Sequence, residues 1–101
     1  MLKITADEVC AMARTLSGST LQTLARKKAF TVKVHGDKIF YTPLSSNTPR
    51  SHERKIIEKL CDRFNKLQSF HPSDYGKITA NASYTLALIA KLRKTSGHEN
   101  D

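Results

Sequence analysis

The chain has 101 residues, 39% hydrophobic and 26% charged, with 17 Lys and Arg against 9 Asp and Glu and a formal net charge of +8. That is the length of one domain, and the composition excludes a disordered tail. No apolar run approaches the roughly 20 residues that a bilayer span requires, and the basic excess points first to nucleic acid as a partner.

Thr5-Ala6-Asp7-Glu8 has the spacing of a capping box, with Ile4 and Val9 placed as a hydrophobic staple. Val9, Met12, Ala13 and Leu16 then recur at helical spacing, and Ser17-Gly18 ends the helix. Ser19-Thr20-Leu21-Gln22 repeats the capping-box pattern, which predicts a second helix to about Lys28 with Leu21, Leu24 and Ala25 inward. Phe30, Val32 and Val34 next alternate with Thr31, Lys33 and His35. Gly36-Asp37 is a two-residue turn signal, and Lys38 to Thr42 is the return strand, ended by Pro43. Residues 43–51 combine two prolines with small polar residues and read as a surface loop. A helix follows from about Ser51 to Leu67, with Ile56, Ile57, Leu60, Phe64 and Leu67 as its inner stripe. His71-Pro72-Ser73-Asp74 suits a turn or one helical turn. The last helix, about Ala80 to Lys94, is apolar nearly all round, the pattern of a buried centre. The expected architecture is α+β: two short N-terminal helices, a β-hairpin, an amphipathic helix and a buried C-terminal helix. It forms one domain over 1–94, with a disordered tail at 95–101.

The charge is uneven along the chain. Residues 1–20 sum to zero, whereas residues 21–50 carry +5 of the +8. The candidate nucleic-acid-binding residues are therefore Arg26, Lys27, Lys28, Lys33, Lys38, Arg50, Ser51, Arg54 and Lys55. Each cation that meets a phosphate releases counterions, and Arg50, Ser51, Arg54 and Lys55 are read as a cluster at a helix start, which favours an anion. Helix, short turn, helix and basic hairpin is also the order of a winged helix-turn-helix, with Ser19, Thr20, Gln22 and Thr23 placed to touch bases. A plain helical hairpin on a strand pair gives the same order.

Catalytic, metal and cofactor signals are missing from the sequence. His52-Glu53-Arg54-Lys55-Ile56 lacks the second His of a zinc-protease helix, and there is no phosphate loop or Gly-x-Ser-x-Gly elbow. His35, His52, His71 and His98 form no pair at metal-ligand spacing, and Cys10 and Cys61 read as core thiols. No enzyme activity and no cofactor are expected. Asn81, Ser83 and Tyr84 open the last helix as caps or core hydrogen-bonders, or as the wall of a polar pocket shared with the Arg50–Arg54 loop that would hold a phosphate.

The order Thr-Leu-x-x-Lys-x-x-Phe-x-Val, hairpin, Ser/Thr-rich loop with Arg, helix, then Asn-x-Ser-Tyr-x-x-x-Leu-Ile resembles small accessory modules of restriction-system and other mobile-element proteins. Leu24, Lys27, Phe30, Val32, Arg50, Asn81, Ser83, Tyr84, Leu88 and Ile89 carry the resemblance over about residues 20–92. It implies at most a DNA-associated role. The expected function is a small non-enzymatic DNA-binding protein of a mobile element or phage; the alternative is a module that grips an acidic protein in a defence or regulatory system. With no signal peptide at Met1 to Thr5, a cytoplasmic location is expected. The expected state is a monomer, or a homodimer joined through the edge of the hairpin.

Overall fold

The computed structural model describes residues 3–98. In chain order it contains helix α1 (Ala6–Thr15), strands β1 (Thr20–Gln22), β2 (Ala29–His35), β3 (Lys38–Pro43) and β4 (Arg50–Glu53), helix α2 (Arg54–Leu67), a 3-10 turn (Pro72–Tyr75) and helix α3 (Ala82–His98). The four strands form one antiparallel sheet in the order β1-β2-β3-β4. The α+β class and single compact unit are as expected.

The capping box at Thr5 forms in both directions. Thr5 Oγ1 accepts from the Glu8 N–H at 3.2 Å, and Glu8 Oε1 accepts from the Thr5 N–H at 2.9 Å. Asn65 clasps the same segment to α2, accepting from the Ile4 N–H at 2.8 Å and donating to the Ile4 carbonyl at 2.9 Å. At the hairpin turn Gly36 has φ +59, the positive value that the first position of such a turn demands.

The predicted second helix is not there. Thr20–Gln22 pairs with β2 as an edge strand, in the register Thr20↔Thr31, Leu21↔Phe30 and Gln22↔Ala29. Two physical reasons favour the strand. A helix of about nine residues is below the length at which helices hold in water unaided. A bare hairpin would also leave one whole edge of β2 without backbone partners over the core. The connection closes at Thr23, whose N–H donates to the Lys28 carbonyl and whose Oγ1 accepts from the Lys28 N–H, both at 3.0 Å. Lys27 takes φ +56 inside that loop. Leu24 and Ala25, expected inward, are exposed. With the second helix gone, the winged helix-turn-helix layout and the base contacts assigned to Ser19, Thr20, Gln22 and Thr23 fall away.

The loop expected at 43–51 is shorter than predicted. Arg50–Glu53 forms β4, paired with β3 by Lys38↔Glu53, Ile39↔His52, Phe40↔Ser51 and Tyr41↔Arg50. Helix α2 therefore starts at Arg54 rather than near Ser51. Nothing in Arg-Ser-His-Glu alternates in hydrophobicity, because the one inward residue is a histidine. Leu67, placed on the inner stripe of α2, is 44% exposed at its last turn. On the hairpin expected to pair with a second copy, β4 lies along β3, whereas β1 pairs with β2 only over Ala29–Thr31, which narrows that edge of β2 to residues 32–35. Helix α3 continues to His98; of the tail expected at 95–101, residues 99–101 lie outside the described residues.

All three helices lie on one face of the sheet, α1 against β2, α3 against β1 and α2 against β4. Leu21, Phe30, Val32, Ile39 and Tyr41 point into that layer with Val9, Ala13, Ile57, Leu60, Phe64, Leu86, Leu88 and Ile89. Phe30, Tyr41 and Tyr84 form an aromatic knot. The Tyr84 ring stacks on Tyr41 at 5.4 Å and meets Phe30 edge-on at 5.0 Å. Cys10 and Cys61 are buried and free, as expected. Burial pushes the Cys61 thiol up to about 12, with the Asp62 charge adding to it, and burial raises Cys10 as well. At pH 8 that leaves Cys61 about a thousandfold less thiolate than a free cysteine. A thiol-reactive dye should therefore label the folded chain slowly and the denatured chain at once. Fast labelling of either cysteine under native conditions would contradict the burial.

Candidate nucleic-acid interface

The sheet register sorts the nine predicted residues into three places. Arg26, Lys27 and Lys28 lie on the exposed loop between β1 and β2. Lys33, Lys38 and Ser51 point from the sheet away from the helices. Arg54 and Lys55 open α2, near the hairpin-turn end of the sheet. Arg50 starts β4 opposite Tyr41 and is exposed. Counting strands and rows puts Lys28 and Arg50 on the order of 15 Å apart. The nine residues therefore do not form one patch.

Arg54 is already engaged. Its Nη2 lies 2.5 Å from Asp7 Oδ1, and its Nε lies 3.2 Å from Glu58 Oε2, which holds its charge against carboxylates. Arg50, Ser51, Arg54 and Lys55 are not the anion-binding helix start that was expected, because Arg50 and Ser51 belong to a strand.

The face of the sheet opposite the helices is an organised surface. Its residues follow from the pairing. One row holds Thr20, Thr31 and Thr42, the next Lys33, Phe40 and Ser51, and the next His35, Lys38 and Glu53. Lys33 and Lys38 are diagonal neighbours across β2 and β3, roughly 7–8 Å apart at Cα. Phe40 sits directly across from Lys33, half-buried, with the His35 ring edge-on to it at 6.0 Å. Apart from Phe40 and Ala29, these side chains are polar or charged. An antiparallel sheet can leave one face to water, and this one does so with two lysines around an aromatic ring. Phe40 and His35 share this face with Lys33 and Lys38 but are not among the nine candidate residues. Alternation placed His35 outward, but only the cross-strand register put Phe40 between Lys33 and Ser51.

A second concave region lies at the other end, where the β1–β2 loop approaches the 70–73 segment and the start of α3. It is a cleft of about 530 Å³ lined by residues that include Arg26, Lys28, Phe70, His71, Ser83 and Tyr84. It is not the pocket expected beside the Arg50–Arg54 loop: neither of those arginines nor Asn81 lines it, and the Tyr84 ring is held by Phe30 and Tyr41. The segments 23–28 and 43–50 contain no carboxylate.

Behind the sheet, His52 is the other residue that changes role. It is 2% exposed, with Nδ1 at 2.8 Å from Thr85 Oγ1 and Nε2 at 3.1 Å from Thr79 Oγ1. Thr85 Oγ1 also lies 2.5 Å from the Tyr41 hydroxyl. Burial pushes the imidazole down to about 4, so it is neutral at pH 7. It is a structural hydrogen-bonder.

Among the described residues, no three His, Cys, Asp or Glu side chains come together as a metal site, and no helix is long and apolar enough to cross a membrane. No protein-family model, curated protein or solved structure matches the chain.

Proposed function

We propose that this chain is a non-enzymatic nucleic-acid-binding domain, with DNA the favoured ligand, that holds the phosphate backbone on the uncovered face of its sheet. The observation that carries the proposal is the placement of Lys33 and Lys38 on a diagonal beside Phe40, on a sheet face that no helix covers. The lysines supply phosphate contacts, Ser51 and the Thr31 and Thr42 hydroxyls add hydrogen bonds, and the Phe40 ring offers a stacking surface. Open four-stranded sheets bearing aromatic residues are an established way to take an unpaired strand, so a single strand fits this face better than a duplex. Arg26, Lys28 and Arg50 extend the positive field at the opposite end of the sheet.

The test is fluorescence anisotropy with labelled single- and double-stranded DNA and single-stranded RNA. With four to six phosphates contacted, affinity should fall on the order of a hundredfold between ~50 and ~200 mM salt. Lys33→Glu with Lys38→Glu should weaken binding at least about tenfold, and Phe40→Ala by about tenfold through lost stacking. Arg54→Gln, which removes a cation already paired with Asp7 and Glu58, should change little. Absence of binding to all three ligands at ~50 mM salt would refute the proposal.

A further inference from the structure

The edge strand β1 leads to a different surface. Just past the β1–β2 ladder the Thr23 N–H donates to the Lys28 carbonyl, the backbone bond of a hydrogen-bonded pair. Antiparallel pairs alternate, so Leu21↔Phe30 is the next bonded pair, and the N–H and C=O groups of Thr20 and Gln22 turn away from β2. They face a groove of about 580 Å³ between β1 and α3. Its floor is the α3 stripe Ala87, Ala90, Lys91 and Lys94, at spacings of three and four residues, and Leu24, 40% exposed, forms one wall. Two alanines leave room for a backbone to come close. Lys27 and Lys94 stand at its rim with exposed side chains, and no carboxylate lines it among the described residues.

We infer that this groove is a docking site for an extended acidic peptide, which adds as a fifth strand alongside β1. The outward backbone groups of Thr20 and Gln22 supply the ladder bonds, small apolar side chains of the peptide rest on Ala87, Ala90 and Leu24, and its carboxylates meet Lys27 and Lys94. Charge decides among occupants. A second copy paired through β1 would bring Lys27 and Lys94 against their own equivalents on a chain of net charge +8, whereas an acidic segment is complementary. The site is separate from the Lys33–Phe40–Lys38 face, which lies on the other side of the sheet.

The probe is the blocked peptide Ac-Glu-Glu-Val-Thr-Val-Glu-Glu-NH2, with a counterpart in which every Glu is Lys. Calorimetry should show binding of the acidic peptide only. The amide protons of Thr20 and Gln22 should exchange at least tenfold more slowly at saturation. Gln22→Pro removes one outward N–H without touching the β1–β2 ladder and should weaken binding at least tenfold. Lys27→Glu with Lys94→Glu, a surface pair that leaves the edge strand intact, should do the same. Oligonucleotide affinity should be unchanged by Gln22→Pro, which separates this site from the nucleic-acid face. Equal binding of both peptides, no binding of either, indifference to both variants, or displacement of the peptide by an oligonucleotide would overturn the inference. So would self-association of the free chain that Gln22→Pro abolishes.

Discussion

Thr85→Val should destabilise the fold by about 2–4 kcal/mol, although it changes neither volume nor surface. Thr85 is fully buried, and its hydroxyl serves both Tyr41 and His52. Valine has the same shape and removes that hydroxyl, so no cavity opens. The loss is the pairing of two buried polar groups, each worth about 1–3 kcal/mol when stranded. His52 keeps its bond to Thr79 through Nε2, but the Tyr41 hydroxyl has no other partner in the network. Thermal unfolding should shift down by on the order of 15 °C for a domain of this size. Thr85→Ser retains the hydroxyl and should cost far less. Tyr41→Phe combined with Thr85→Val should recover part of the loss, because both ends of one hydrogen bond are then apolar. A Thr85→Val protein as stable as the parent would show that the network carries no net stability.

The second large effect is on pH dependence. The folded-state pKa of His52 is about 4, against about 6.5 for a free histidine. Between those values the unfolded chain binds a proton that the folded chain refuses. Stability from this group is therefore complete above about pH 6.5 and is lost as pH falls toward 4, by up to about 3 kcal/mol. Denaturant titrations at steps between pH 7 and pH 4.5 should show that slope. His52→Gln keeps an amide that donates and accepts but does not titrate, so the slope over the same range should flatten. A slope unchanged by His52→Gln would place the pH sensitivity elsewhere, on a carboxylate below pH 5 or on another histidine.

Some of the molecule was legible without its fold. Helix α1 carries its own start signal in Thr5 and Glu8, and both hydrogen bonds form. The β2–β3 hairpin is written in the alternation of Phe30, Val32 and Val34 and in Gly36, and it forms in that register. Local signals of this kind need no distant partner. Ser19 to Gln22 shows the opposite case. Its capping-box spacing is real, but the hydrogen bonds it advertises are worth less than pairing Thr20–Gln22 to the edge of β2. Arg50–Glu53 gave no strand signal because its inward residue is His52, whose polarity is absorbed by Thr79 and Thr85 from beyond α2. The candidate site behaved similarly. The linear cluster at 50–55 dispersed once β4 formed and Arg54 paired with Asp7, whereas Lys33 and Lys38 came to share a face with Phe40.

By itself, the sequence determined the charge, the α+β class, the first helix, the hairpin and the outward alternation of Thr31, Lys33 and His35. Each depends on composition or on neighbours within about four residues. Only the tertiary structure decided that the sheet has four strands, that one face is left uncovered, that β1 is an edge beside α3 and that His52 is a buried neutral partner of Thr85. Those features depend on which distant backbone edges and polar atoms meet, and the +8 charge becomes a set of distinct surfaces only once that pairing is made.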